Sequence, residues 1–233
     1  MEANVATPAA LIGDPVRAAI LLALLDGRAL PATALAWLAG VSSPAASNHL
    51  AKLSGGGLVA VTQQGRHRYY RLAGPEVAHA LEALGALSPT PRALDPTLSP
   101  KARRLREART CYDHLAGRIA VALADAFERD GLVEAEGPDR YALTIAGRDR
   151  LLALGVDLDG LKAGRRGLAR PCLDWTERRR HLAGPLAARL LQRLLELGWI
   201  ERAREDRAAI VTPAGRRGLR EAFGLELDPA AAA

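Results

Sequence analysis

The stretch Ser42-Ser43-Pro44-Ala45-Ala46-Ser47-Asn48-His49-Leu50-Ala51-Lys52-Leu53 decides how the first part of this 233-residue chain is read. Pro44 sits in what reads as a first helical turn, where the missing N–H costs nothing. Leu50 and Leu53, three apart, share the side of the helix that faces a core. Ser43, Ser47 and Asn48 fall on the other side, and His49 and Lys52 flank it. Short polar side chains let a helix lie deep in the major groove of DNA, while cations around it meet phosphate. Ser43 also suits a helix N-cap, which needs no DNA at all. Downstream, Leu58 to Thr62 and Arg66 to Leu72 read as strands turning at Gln64-Gly65. Their tip, Gln63-Gln64-Gly65-Arg66-His67-Arg68, is polar and basic, as a wing against the minor groove or the backbone requires.

Working outward, Thr33 to Ala39 reads as a short helix and Gly40-Val41-Ser42 as a tight turn. Ala9 to Leu25 holds two helices, the second opening with Asp14 as cap and Pro15 at its first position. Residues 1 to 8 read as a frayed start, and Pro75 to Leu87 as a closing helix. The expected fold class is therefore mainly α with short β-hairpins, a winged helix-turn-helix domain occupying residues 9–87. Charge supports the reading. The chain's formal net charge is +6, and between Asp26 and Glu76 there is no acidic residue, only Arg28, Lys52, Arg66, Arg68 and Arg71. That window alone holds nearly all the excess, which is the footprint of a surface that meets phosphate.

These residues resemble the ArsR/SmtB-type family of bacterial transcriptional regulators. The resemblance rests on Leu11-Ile12-Gly13-Asp14-Pro15-Val16-Arg17, on Ser43 to Leu53, and on Gly57-Leu58-Val59 leading into Gly65 to Leu72. It implies a homodimer joined through the first and last helices of the domain. It also implies operator binding to double-stranded DNA that blocks transcription until an effector arrives. The residues it assigns to DNA are Ser42, Ser43, Ser47, Asn48, His49, Lys52, Gln63, Gln64, Arg66, His67 and Arg68. One departure is plain: Thr33 to Ala39 has no Cys, His or acid, so the cysteine pair that many metal-sensing members carry there is missing. His79 stands alone where other members bind zinc.

Ser88 to Pro100, with four prolines, reads as a linker, and residues 101–233 as a second domain. Lys101 to Asp130 has few helix breakers and reads as one long helix; Asp174 to Leu197 also reads as helical. Four blocks recur in order. His114-Leu115-Ala116-Gly117 returns as His181-Leu182-Ala183-Gly184, and Gly131-Leu132-Val133 as Gly198-Trp199-Ile200. Thr144-Ile145-Ala146-Gly147 returns as Thr212-Pro213-Ala214-Gly215, and Gly155 to Asp159 as Gly224 to Asp228. This marks a duplication, residues 111–159 and 172–228, each copy expected as a winged-helix-like helix–hairpin–helix. Between the copies, Gly160 to Pro171 reads as a basic connector. The two copies are expected to pack face to face about a pseudo-twofold axis.

Both cysteines occupy the same place in the repeat: Cys111-Tyr112-Asp113 runs directly into His114, and Cys172-Leu173-Asp174 reaches His181 after six more residues. Cys111, Asp113, His114, Cys172, Trp175 and His181 are the candidate effector or thiol site. Cys, His and carboxylate are zinc-type ligands, and two thiols can also form a redox-switchable disulfide. Against both stand plainer roles: buried cysteines as small hydrophobes, Asp174 capping a helix with Glu177, Trp175 filling core. No cofactor is required; a metal ion at the Cys/His positions is the one candidate. The reading is a dimeric repressor with a second half that senses an effector. The alternatives are a thiol-redox or metal-responsive switch at Cys111 and Cys172, or a partner-binding protein with a vestigial wing. An enzyme is not expected, since no oxyanion nest, Gly-rich phosphate loop or third orienting group accompanies the Cys–His pairs. No apolar run reaches the ~18–20 residues of a membrane helix, no signal peptide is visible, and two cysteines make no disulfide framework. The expected location is the cytoplasm, with no membrane partner.

Overall fold

The computed structural model describes residues 4–87, 99–163, 167–204 and 206–227. It separates into two compact units, Met1–Leu81 and Glu82–Ala233.

In the first unit, α1 (Ala6–Ile12) and α2 (Pro15–Ala23) lead through β1 (Leu30–Pro31) to α3 (Ala32–Leu38) and α4 (Ser43–Gly55). Strands β2 (Val59–Gln64) and β3 (His67–Leu72) follow, then α5 (Pro75–Leu87), whose residues from Glu82 onward count with the second unit. The sheet order is β1-β3-β2, antiparallel throughout. Helix α1 begins at Ala6, earlier than the frayed start read from the sequence. Asp14 caps α2, its carboxylate accepting the Arg17 N–H at 2.9 Å, with Pro15 in the first turn as expected. Ile20, Leu21, Leu35, Ala36, Ala46, Leu50, Leu53 and Leu72 form the buried side of this winged helix.

The second unit departs from the sequence reading. Helix α6 (Pro100–Glu107) is short, followed by the hairpin β4 (Arg109–Cys111) and β5 (His114–Ala116), then α7 (Arg118–Arg129). The single helix expected over Lys101–Asp130 is therefore wrong. Ala108 is extended, Tyr112 takes a left-handed φ of 61° to close a two-residue turn with Asp113, and Gly117 at φ 92° restarts the helix. Next come β6 (Val133–Ala135), β7 (Tyr141–Leu143) and α8 (Ile145–Ala153). The same order then returns as β8 (Arg170–Leu173), β9 (Arg180–Ala183), α9 (Pro185–Glu196), β10 (Ile200–Arg202), β11 (Ala209–Val211) and α10 (Pro213–Phe223). Asp174–Leu197 is likewise not one helix: its first third is a hairpin loop and strand, and α9 starts only after Gly184. Each segment reads hairpin–helix–hairpin–helix rather than helix–hairpin–helix. Residues 88–98, most of the expected linker, lie outside the described residues, as do 164–166 of the expected connector and Asp228. The described end of the linker, Ser99, caps α6 by accepting the Ala102 N–H.

The recurring blocks make recurring contacts. Thr144 and Thr212 each cap a helix by accepting the amide of Gly147 or Gly215, at 3.0 and 2.9 Å. Each also donates to a glycine carbonyl, Gly131 or Gly198, at 2.7 Å. A Cβ on Gly147 or Gly215 would lie 2.0 Å from the carbonyl oxygen of Leu132 or Trp199, so only glycine fits. The segments exchange contacts reciprocally. Ala209 N–H donates to Ala108 C=O, and Tyr141 N–H to Ala169 C=O, both at 2.9 Å. Helix α7 packs on β9 and α9 on β5, and one buried cluster, with Phe127 stacked on Phe223, draws on both segments.

Candidate nucleic-acid interface and Cys–His centre

On α4 the buried and exposed sides divide as the leucine spacing predicts. Ala46, Leu50 and Leu53 face the core, while Ser43, Ser47, Asn48 and Lys52 are exposed. Ser42, not Ser43, is the N-cap, its Oγ accepting the Ala45 N–H at 3.4 Å. His49 turns away from the exposed face. It is half-buried with Nδ1 3.5 Å from the Asp14 carboxylate, a partner that competes with phosphate. That carboxyl sits below its ordinary range because it accepts the Arg17 backbone N–H. In the wing, Gln64 pairs with His67 across Gly65-Arg66, and Gly65 at φ 59° supplies the backbone that this tight turn needs. Gln63 spends its amide on the Gly65 carbonyl at 3.1 Å. Gln64, Arg66, His67 and Arg68 are exposed. Within the acid-free window Arg28 is paired with Asp26, so the exposed cations of this surface are Lys52, Arg66, Arg68 and Arg71.

The second constellation is built on two strand pairs. Cys111 is the cross-strand partner of His114, and Cys172 of His181. Cys111 and His114 therefore meet across a hairpin, not along a helix face. Residues directly opposite in an antiparallel pair that point to one face bring their side chains together. The reciprocal packing of the hairpins then sets the two pairs against each other. The ligand atoms of Cys111, His114, Cys172 and His181 all lie within 4.8 Å of one another, and all four residues are buried. Both cysteines are free thiols, packed with Ala116 and Ala183. The two Nε2 atoms are 3.2 Å apart. The repeated His-Leu-Ala-Gly block is thereby explained residue by residue. The histidine enters the centre, and the alanine is small enough to pack beside the sulfurs. The glycine takes a φ of 92° or 96° where a Cβ would come within 2.7 or 2.9 Å of a carbonyl oxygen.

Each histidine has a carboxylate behind it. Asp113 Oδ1 lies 2.9 Å from His114 Nδ1, and Asp174 Oδ2 lies 3.5 Å from His181 Nδ1. Asp174 is not a helix cap. It organises a hairpin loop, Oδ1 accepting the Thr176 hydroxyl and the amides of Thr176 and Glu177. Its Oδ2 accepts the Gly117 amide at 2.6 Å and faces Arg109 at 3.1 Å. Arg109, fully buried, also lies 3.6 Å from Glu82, whose other oxygen accepts from Arg207 at 2.7 Å. Trp175 is half-buried outside the centre, its ring 4.8 Å from the Arg109 guanidinium carbon. Sequence reading did not single out Arg109, Glu82 or Arg207.

Electrostatics follow from these contacts. Hydrogen bonding with Cys111, and then with both imidazoles, pulls the Cys172 thiol far below its usual range against the opposing effect of burial. The same bond, with burial, pushes Cys111 up. Burial works to lower His114, but the bonds to Asp113 and Cys172 outweigh it and the ring is raised. Burial works to raise Asp174, but the Arg109 charge, the Thr176 hydroxyl and the Gly117 amide bring it down to about 2.

Comparison with known proteins fits the first unit and extends to the second. The helix-turn-helix domain family matches residues 12–62. YdfF of Bacillus subtilis (strain 168), named an uncharacterized HTH-type transcriptional regulator, is 40% identical over 216 residues, 93% of this chain and 95% of that protein. The chain belongs to the HTH-type transcriptional regulators. Membership is carried by both units, because the YdfF match runs through nearly the whole chain, and its first unit is of the ArsR type. Transcription regulation, not an enzyme activity, is what these relatives are named for. The HTH-type regulator CmtR of Mycobacterium tuberculosis (strain ATCC 25618 / H37Rv) is 45% identical over 73 residues, 31% of this chain and 61% of that protein. The solution structure of the cadmium metal-sensor CmtR from Mycobacterium tuberculosis is 39% identical, covers 41% of this chain and 95% of that one, and has a TM-score of 0.30.

Proposed function

We propose that this HTH-type regulator binds double-stranded operator DNA as a homodimer and represses transcription until its second unit senses an effector. The observation that carries the DNA reading is α4, which offers Ser43, Ser47, Asn48 and Lys52 on one exposed face while Leu50 and Leu53 are buried. The exposed cations Arg66 and Arg68 in the wing support it. Leu22, exposed on α2, supports a dimer through the helices of the first unit. Among the described residues no single helix is long and apolar enough to cross a membrane, and a protein that reads operator DNA works in the cytoplasm. The segments 111–159 and 172–228 are two copies of one ancestral unit, a reading supported by their shared contacts.

The effector acts by preferring one conformation of the regulator, and operator affinity falls by the same preference. The decisive experiment is a mobility shift on a duplex carrying the protein's own promoter. A retarded complex at low salt that dissolves as salt rises is expected; no shift at low salt overturns the reading and favours a partner-binding protein. A metal- or thiol-responsive switch is the second reading, favoured by the convergence of Cys111, His114, Cys172 and His181.

A further inference from the structure

We propose that Cys111, His114, Cys172 and His181 form a closed tetrahedral site for one divalent metal ion of the zinc class. In this site Asp113 and Asp174 orient the two imidazoles from behind. The proposal does not depend on the DNA reading. It stands on four geometric facts. Four side chains of zinc-ligand type, from two separate hairpins, bring their ligand atoms within 4.8 Å of one another. All are buried, so neither thiols nor ring nitrogens have bulk water as a partner. The His114 and His181 Nε2 atoms face each other at 3.2 Å. Asp113 hydrogen-bonds His114 Nδ1 at 2.9 Å, which favours the tautomer that leaves its Nε2 lone pair pointing inward, while the buried His181 Nδ1 makes no hydrogen bond and has the Asp174 carboxylate 3.5 Å away. Two lone pairs so placed repel unless a proton or a cation lies between them.

The spacing suits a metal. Zinc bonds of about 2.0–2.1 Å to nitrogen and 2.3 Å to sulfur put two nitrogens about 3.3 Å apart and two sulfurs about 3.8 Å apart at tetrahedral angles. The observed 3.2 Å between nitrogens is already that edge. Two thiolates also match the ion's double charge. The donor set selects a borderline or soft ion such as zinc, cobalt or cadmium over magnesium or calcium, which take oxygen. Four protein ligands leave no open position, so the site would hold structure or sense metal rather than hydrolyse. An organic effector in the adjoining core finds little room. The apolar void between α7 and α9, lined by residues including Leu115, Leu123, Leu182 and Leu190, measures about 20 Å³, enough for about one water.

The test uses the full chain, reduced and freed of metal with a chelator, titrated with cobalt(II) and followed by absorption. One equivalent is expected, with the intense visible bands of tetrahedral cobalt and a thiolate-to-cobalt charge-transfer band. Zinc should displace the cobalt and shield both thiols from alkylation. Cys111→Ser and Cys172→Ser should each weaken that charge-transfer band. Asp113→Asn, which leaves all four ligands in place, should keep the stoichiometry while weakening affinity about 10- to 100-fold. Three results would overturn the site: no cobalt bound by wild-type chain shown folded by circular dichroism, a weak octahedral spectrum, or a spectrum indifferent to both serine variants. A Cys111–Cys172 disulfide forming in air equally fast with and without zinc would assign the pair to redox chemistry instead.

Discussion

If α4 and the wing meet DNA as proposed, affinity must fall steeply with salt, by an amount that the structure fixes. Lys52, Arg66 and Arg68 are the exposed cations on α4 and at the wing tip, so a dimer presents six to phosphate. Each neutralised phosphate releases counterions, giving a slope of log affinity against log salt of about −0.9 per contact, hence about −5 for six. Raising monovalent salt from about 50 to about 200 mM should then weaken binding roughly a thousandfold. Lys52→Ala removes one contact per protomer. It should flatten the slope to about −3.5 and weaken binding to every duplex alike. Asn48→Ala should leave the slope unchanged and reduce discrimination between operator and scrambled duplex by about 1–3 kcal/mol. The assay is fluorescence anisotropy of a labelled promoter duplex at four or more salt concentrations, with a scrambled competitor. A wild-type slope shallower than about −2 would refute the phosphate assignment. Equal, sequence-independent losses for Lys52→Ala and Asn48→Ala would refute the base-reading role of Asn48.

Other consequences concern the second unit. Gly184→Ala puts a Cβ 2.9 Å from the Leu168 carbonyl oxygen at a φ of 96°, whereas Gly198→Ala, at φ 64°, meets nothing within 4 Å. Urea denaturation should show Gly184→Ala the more costly, by about 1–3 kcal/mol; equal losses would contradict the close approach. Asp174→Ala strands the buried Arg109 guanidinium and should cost about 3 kcal/mol, the low end for a broken buried pair because Glu82 remains 3.6 Å away. A loss under about 1 kcal/mol would show Asp174 to be dispensable to the hairpin loop. Tyr141 is pushed up to about 12 by burial and by its bond to Glu128. The protonated phenol is the form the fold favours, so its contribution to stability is whole below the ordinary tyrosine range near 10 and is lost as pH rises through about 12. Ultraviolet titration should show one late tyrosine, absent in Tyr141→Phe; if all tyrosines titrate together the Glu128 bond does not form in solution.

The winged helix was legible because its information is local. Asp14-Pro15 announces a helix start, Leu50 and Leu53 fix which face of α4 is buried, and Gln64-Gly65 sits between two β-rich runs. What local reading missed on this unit was long-range: His49 looked like an outward residue, and only its neighbour on α2, Asp14, turns it aside. The second unit was less legible for the same reason. Between Arg109 and Ala116 the chain has no Gly or Pro to announce a break, and these strands are only three or four residues long. Their stability comes from the partner hairpin and from α9 and α7, which lie far along the chain. Arg109 and Glu82 were invisible for the same reason. A buried charge is recognisable only once its counter-charge, Asp174 or Arg207, is known to be beside it.

Yet the repeat itself held the signal for the Cys–His centre. In the first segment the cysteine and histidine are separated by Tyr112 and Asp113; in the second, six further residues lie between them. On a helix, positions three apart lie on one side, but positions nine apart advance by two and a half turns and land on opposite sides. A Cys–His pair that meets at both spacings cannot be helical in both segments. In a hairpin the insertion only lengthens the loop, and the cross-strand partners stay opposed. Cys111 faces His114 and Cys172 faces His181 in the same register, with the extra residues folded into the loop that Asp174 ties together. Both segments carry an aspartate two residues after the cysteine: Asp113 lies in the tight turn beside His114, and Asp174, at the start of the longer loop, lies beside both His181 and Arg109. Two loops of different length, each with its aspartate two residues after the cysteine and beside its own histidine, are hard to reconcile with cysteines that merely fill space, and they fit a centre whose two imidazoles must be aimed.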